Sequence, residues 1–324
     1  MATKKQQSIS AQKRLESAIR TVKLISSAAL MIGIIAIILA AIPILGPVLN
    51  PAPNFGSTLA GINNPFTAAQ LAVINNASNS YFEEAGLMYL NHTLPNAGAA
   101  TVTQTNTLIV NGKPSVIYLG AISCIYCGEN RWAMALALGR FGQFNSLYIG
   151  YSSFGDADVP TIYWTPATYN VTSGVTFGSN YSSKYINFLP IEYQSKITQG
   201  FQIQPIPYFQ QQANALGNGA YINATNLIAS VNTFQGTPYT IWGRNVVPGA
   251  DAVAGFQTQG SGVALTYMTH AQVLQQLSNP NDNFSWTQYA GADLYIAMTC
   301  ATINNVAPIC SLPAIQGIEK ASDY

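Results

Sequence analysis

The stretch "LGAISCIYCGENRWAMALALGRFG", residues 119–142, limits what this chain can fold into more than any other. An apolar run ends, two cysteines follow three positions apart, and a helical pattern begins at once. Just upstream, "NTLIVNGKPSVIYLGA" holds two apolar runs joined by Asn111-Gly112, the signal of a β-hairpin. The run Ser115–Leu119 does not alternate with polar residues, which predicts a central strand buried on both faces. Ser123 is expected to cap the helix that follows, with Trp132, Met134, Leu136, Ala137 and Phe141 packing on a sheet. "FNSLYIGYSS" reads as the next strand. Strand, Cys-x-x-Cys, helix, strand makes a βαβ unit with Cys124 and Cys127 at the carboxyl edge of its sheet.

Three chemistries compete for this pair. A zinc site using all four cysteines needs two closely spaced pairs, but Cys300 and Cys310 have nine residues between them and no nearby His completes a set. A redox pair has a physical basis, because a sulfur at a helix N-terminus faces unpaired N–H groups and the positive end of the dipole. The second thiol, one turn on, can then resolve a mixed disulfide. A permanently oxidised staple is the third reading. Cys300 closes an apolar helix and "ATINNVAPI" gives a loop that returns, so Cys300 and Cys310 are expected to pair as a structural disulfide contributing roughly 2–3 kcal/mol.

Cys-x-x-Cys after a strand in a βαβ pattern resembles the thioredoxin-like superfamily. Thr237-Pro238, within "FQGTPYTIWGRNVVPGA", resembles the cis-proline loop of those proteins, followed by a strand, a turn at Gly243 and a second strand. The resemblance implies that Thr237 and Pro238 lie against the cysteines and offer a backbone edge to an incoming peptide. Val159-Pro160 and Ile206-Pro207 are rival prolines, and the Gly243 turn favours Pro238. The long separation from Cys127 to Pro238 resembles disulfide-bond oxidoreductases that carry an insertion, expected here at about residues 155–230 and rich in strands, since 160–196 is crowded with Tyr, Thr, Val and Ser. Residues 206–232 read as mixed, with a helix expected near Asn226–Val231. The bacterial versions insert helices instead.

Beyond the superfamily, "CIYCGENRWAMALALGRFG", "YSSKYINFLPIEYQ" and "GADLYIAMTCATINNVAPIC" resemble the archaeal domain-of-unknown-function 929 family of crenarchaeal membrane proteins. The resemblance implies a hot, acidic exterior. At pH 3 a thiol with an ordinary pKa near 8.5 would be only about three parts per million thiolate, whereas one lowered to about 3.5 would be roughly a quarter ionised.

Location follows from charge and hydropathy. Leu24–Val48 has 25 residues without a charged side chain, a helix roughly 37 Å long against a hydrocarbon core of about 30 Å. Lys4, Lys5, Lys13, Arg14, Arg20 and Lys23 precede it with Glu16 as the sole acid, so residues 1–23 are expected to be cytoplasmic and the remainder extracytoplasmic. The apolar core exceeds that of a cleaved signal peptide, so an uncleaved single-pass anchor in the cell membrane is expected. Six N-x-[ST] sequons, at Asn76, Asn91, Asn170, Asn180, Asn223 and Asn283, all follow this segment and are candidates for N-linked glycans. Only 8% of residues are charged, against about 25% in ordinary globular chains. No basic patch follows the anchor, which argues against a nucleic-acid partner.

The remaining polar residues carry less. His92 falls in a loop and His270 opens an amphipathic helix, where capping or solvation is expected; a copper site joining His270 to the two sulfurs is the sharper alternative. Glu129 and Arg131 are expected on the helix surface. No metal or cofactor is implied. The chain is therefore read as a cytoplasmic tail (1–23), an anchor (24–48), a spacer with a helical lead-in (49–104) and an α/β thioredoxin-like domain with a strand-rich insertion (105–324). The expected activity is thiol–disulfide exchange on exported proteins, with Cys124 as nucleophile and Cys127 as resolving thiol. The alternative is a non-catalytic envelope glycoprotein that uses both cysteine pairs as structural disulfides, with other envelope proteins as partners.

Overall fold

Strand β3, Lys113–Ala121, organises the molecule, and from Ser115 onward every residue in it is buried. The structure, a computed structural model, describes residues 61–94, 103–152, 159–168, 174–194, 204–233, 236–249, 268–322 and 324. These fall within one compact unit, Phe55–Tyr324. β2, Ile109–Val110, folds back on β3 through Asn111 and Gly112, whose φ angles of 51° and 75° are the left-handed pair a two-residue hairpin turn requires.

β3 runs parallel to β9 (Asn187–Gln194), in register from Ser115 opposite Asn187 to Ala121 opposite Tyr193. Its other side pairs antiparallel with β10 (Tyr239–Trp242), which continues through Gly243 into β11 (Asn245–Pro248). Gly243 has φ 61°, and a Cβ there would collide with Thr302, so the turn needs glycine on both counts. β1 (Thr103–Gln104) borders β11, and β7 (Gly174–Phe177) borders β9. The sheet order is β1-β11-β10-β3-β9-β7, with β2 added to β3.

Strand pleating divides the interior. Val116 and Tyr118 join a core with α3 (Ile125–Leu138) and α7 (Asn283–Thr302). Ile117, Leu119 and Ala121 join the opposite core, covered by α4 (Ile206–Leu216) and α5 (Gly219–Val231). The helical spacing over Phe66–Leu90 corresponds to α1 (Ala68–Asn75) and α2 (Asn79–Leu90), which pack into the α7 core. α6 (His270–Ser278) and α8 (Pro313–Ser322) complete the layer around α7, which is buried on nearly every side.

Two expectations are corrected. "FNSLYIGYSS" does not supply the strand beside β3. It forms β4 (Gly142–Ser146) and β5 (Tyr148–Tyr151), which pair with β8 (Asn180–Ser183) and β6 (Pro160–Tyr163) in separate two-stranded sheets. β9 takes the central place because "FLPIEYQ" is buried on both faces, while β4 is half exposed. Between α3 and β9, strands β4, β5, β6 and β8 lie outside the main sheet and β7 lies in it. Within the expected strand-rich stretch 155–230, Ile206–Leu216 and Gly219–Val231 are helical, the second taking in the helix expected near Asn226–Val231. Ile206, Phe209 and Ala213 recur at helical spacing, Pro207 sits in the first turn, and Gly217 at φ 70° stops α4 before Asn218 caps α5.

The expected anchor, Leu24–Val48, lies outside the described residues, as does the cytoplasmic tail. Among the described residues no helix is long and apolar enough to cross a membrane.

Candidate functional site

Cys124, not Ser123, is the N-cap of α3: its backbone is extended and its Sγ accepts the Cys127 N–H at 3.3 Å. The chain turns tightly from β3 to reach this position, with Cys124 N donating to Ala121 O at 3.2 Å and Gly128 N donating to Cys124 O at 2.9 Å. Ser123 is buried, and among the described residues its hydroxyl has no hydrogen-bond partner. The cap leaves Cys124 half-buried and Cys127, one turn on, fully buried, both as free thiols. Between them, Tyr126 is half exposed.

The thiols are electrostatically unequal. The contact with Cys127, then burial, pushes Cys124 well above the ordinary thiol range. Burial also opposes ionisation of Cys127, but its contact with Cys124, the charge of Arg131 and the Ala121 backbone outweigh that and bring it down. Two thiols in contact lose their protons in two separated steps, and the first negative charge is the favoured one.

Arg131, expected on the surface, lies one turn below Cys127 and is completely buried. Its Nε and Nη2 donate to Glu192 Oε1 at 2.8 and 2.6 Å, and Nη2 also donates to Ala121 O at 2.8 Å. The guanidinium carbon sits 5.8 Å from the Tyr118 ring centre and 5.7 Å from that of Tyr163. Burial works against its charge, yet Glu192, Tyr118 and Cys127 hold Arg131 more firmly protonated than usual. Burial raises Glu192 despite the cation beside it. Gly120 makes room for this arrangement, since a Cβ there would run into the Tyr118 side chain two positions back on the same face.

The Thr237–Pro238 peptide bond is cis, while Val159-Pro160 and Ile206-Pro207 are not. Tyr239 pairs with Leu119, so the Thr237-Pro238 step precedes β10 at the same end of the sheet where β3 gives way to Cys124. Asn232 braces the approach from both sides, with Nδ2 donating to Gly236 O at 3.0 Å and Oδ1 accepting from Gly236 N at 3.1 Å. Pro238 is buried, and among the described residues the buried Thr237 hydroxyl has no hydrogen-bond partner.

Cys300 and Cys310 are joined by a disulfide, Cα to Cα 5.5 Å, tying the end of α7 to the short 3-10 helix Pro308–Ser311. His270 is neither a cap nor solvated. Thr269 caps α6, while His270 is buried edge-on to Tyr151 with Nε2 2.7 Å from Thr161 O; burial lowers it to about 4. Thr161 also donates its hydroxyl to Gly128 O at 2.8 Å, so β6 links α6 to the cysteine helix. Among the described residues no group of three or more His, Cys, Asp or Glu side chains could hold a metal ion. His92 is exposed in a loop. Of the sequon asparagines, Asn76, Asn91, Asn180, Asn223 and Asn283 are exposed, and Asn170 lies outside the described residues.

Sequence reasoning passed over Glu192 and placed Arg131 outside. Glu192 is the lone charge of β9, "NFLPIEYQ", and Arg131 shares α3 with Glu129 alone. Opposite charges set in elements this apolar are what a buried ion pair looks like in a sequence.

No curated protein and no solved structure matches the chain. The family model described as a domain of unknown function (DUF929) matches residues 100–301. That span holds the cysteine helix, both strands beside β3, the Pro238 loop and α7 up to Cys300, and the chain belongs to this family.

Proposed function

We propose that this chain is a thioredoxin-like thiol–disulfide oxidoreductase of archaeal type. It is anchored by residues 24–48 with its main domain extracytoplasmic, and it acts on disulfides of exported proteins. One observation carries the reading: a half-buried cysteine caps the helix that leaves a central strand, its partner thiol lies buried one turn on, and the cis Thr237–Pro238 step stands at the same sheet edge. The strand order β9-β3-β10-β11, parallel then antiparallel, supports a thioredoxin-like core. On this reading the insertion is residues 139–186, and Asn76, Asn91, Asn170, Asn180, Asn223 and Asn283 are glycan sites.

The chemistry is a pair of exchanges. With Cys124 and Cys127 oxidised to a disulfide, a substrate thiolate attacks the accessible Cys124 Sγ. The Cys124–Cys127 bond breaks, a substrate–Cys124 bond forms, and Cys127 leaves as a thiolate eased by Arg131. A second substrate thiolate then attacks the substrate sulfur and expels Cys124. The substrate is oxidised by two electrons and the pair reduced by two; run backwards, Cys124 is the nucleophile and Cys127 resolves the mixed disulfide.

The competing reading is a non-catalytic envelope glycoprotein with two structural disulfides, and the upward shift of Cys124 favours it. The test is turnover of a reduced protein with a glutathione redox buffer. The intact chain is expected to accelerate disulfide formation or rearrangement, and Cys124→Ser to remove that acceleration entirely. Equal rates with and without the chain would reject catalysis.

A further inference from the structure

The buried carboxyl of Asp293 is used by neither the thiol site nor an ion pair among the described residues. Asp293 sits in the middle of α7 and is 0% exposed. Among the described residues no hydrogen-bond donor reaches either of its oxygens. It faces a junction of three helices. α2 comes in through Gly86, where a Cβ would lie 3.2 Å from Asp293 Oδ2 and 2.8 Å from the Ala314 methyl. α8 contributes Ala314 and Ile318, both fully buried. The charged neighbour is another acid, Glu83 on α2, whose Oε2 accepts the Ala314 N–H at 3.1 Å and so caps the start of α8.

The cation in this part of the core is turned away. Arg140 directs its guanidinium at the Ile74, Asn75 and Ala77 carbonyls that end α1, and lies 5.2 Å from the Phe82 ring centre. Tyr289, one turn before Asp293 on α7, gives its hydroxyl to Leu277 O at 2.7 Å. Asp293 therefore meets apolar surface, a like charge and a tyrosine committed elsewhere. An ionised carboxylate in such a place lacks solvent, donors and counter-ion together, which is the arrangement least able to hold a charge.

We propose that Asp293 is a proton-binding site of the fold, a carboxyl that the α2–α7–α8 junction accepts only in its neutral form, so that α8 is held in acid and loosened as the solution becomes alkaline. The direction of its titration agrees, since burial first and Glu83 second push the Asp293 carboxyl well above the usual range. The sign follows. In the unfolded chain an Asp gives up its proton near pH 4, while the folded chain keeps it to higher pH. Stability is then fully present below about pH 4 and declines as pH rises towards the folded value, the folding constant falling by up to about tenfold per pH unit in that window. The proposal does not depend on the thiol reading.

The test uses the full-length chain, unfolded by urea at a series of pH values from 4 to 9. The intact chain is expected to lose stability with rising pH. Asp293→Asn, of the same shape without a titrating proton, is expected to lose one proton's worth of that slope, a folding constant about tenfold less sensitive per pH unit. Glu83→Gln keeps an acceptor for Ala314 N–H, removes the like charge that helps to raise Asp293, and should make the decline smaller and end it at lower pH. Should Asp293→Asn not fold, amide exchange in the intact chain decides: the α8 amides should lose protection between pH 5 and pH 8 once intrinsic exchange rates are divided out. An unchanged pH slope in Asp293→Asn, or α8 protection equal at both pH values, would overturn the proposal.

Discussion

Changing Cys127 to Ser is expected to turn the site into a trap. Cys124 stays half-buried at the start of α3, the less buried of the two thiols and the one expected to meet other thiols and disulfides. The buried thiol that would release a bound partner is gone. Mixed disulfides at Cys124 should then persist at least about a hundredfold longer, because an intramolecular attack is replaced by one from solution. Non-reducing electrophoresis after an acid quench, with oxidised glutathione or a disulfide-bonded exported protein as partner, reads the lifetime directly. Cys124→Ser should give no adduct at all, since Cys127 is completely buried. Adducts of equal lifetime in the native chain and in Cys127→Ser would show that Cys127 resolves nothing.

The second large effect concerns the ion pair beneath the sulfurs. Arg131→Met removes the guanidinium that serves Glu192 and the Ala121 carbonyl, leaving a carboxylate with 2% exposure and no counter-ion. Breaking one side of a buried pair typically costs about 3–5 kcal/mol, and that loss is expected here at neutral pH in urea denaturation. The loss should shrink in acid, because Glu192 already holds its proton more tightly than an ordinary Glu. The double change Arg131→Met with Glu192→Leu should recover most of the stability, as it removes both charges. The thiol readout separates tuning from packing. In either variant Cys127 should ionise at higher pH than in the native chain, because Arg131 is one of the influences that lower it. A Cys127 titration unchanged in the refolded double variant would limit Arg131 to a structural role.

The parts of this site legible in the sequence are those whose chemistry is local. The Asn111-Gly112 turn, the uninterrupted run of β3, the Cys-x-x-Cys opening a helix and the Thr237-Pro238 step each depend on a few adjacent residues. What went astray depends on partners far along the chain. Whether "FNSLYIGYSS" or "NFLPIEYQ" lies beside β3 is decided by which one the two cores can bury on both faces, and β9 alone meets that demand. Of the two helices in 206–231 the end of α5 is legible in the sequence and α4 is not, although Pro207 and Gly217 bracket α4 by ordinary start and stop chemistry. Arg131 was placed outside because a charge on a helix is usually solvated, and only its pairing with Glu192, 61 positions away, makes the interior possible. The cap at Cys124 rather than Ser123 shows how finely the end of β3 sets which side chain meets the helix N-terminus.

The central claim is that Cys124 and Cys127 exchange electrons with other proteins rather than holding the fold together. The reduction potential of this pair in the intact chain tests it most directly, equilibrated against glutathione and read by mass-tagging of free thiols, with Cys300 and Cys310 both changed to Ser in a parallel sample. A potential between about −120 and −230 mV, with Cys124 alkylated in the folded protein, is the predicted result and belongs to catalytic pairs. A potential below about −300 mV, with Cys124 unreactive until the protein unfolds, would mark a structural disulfide and contradict the account.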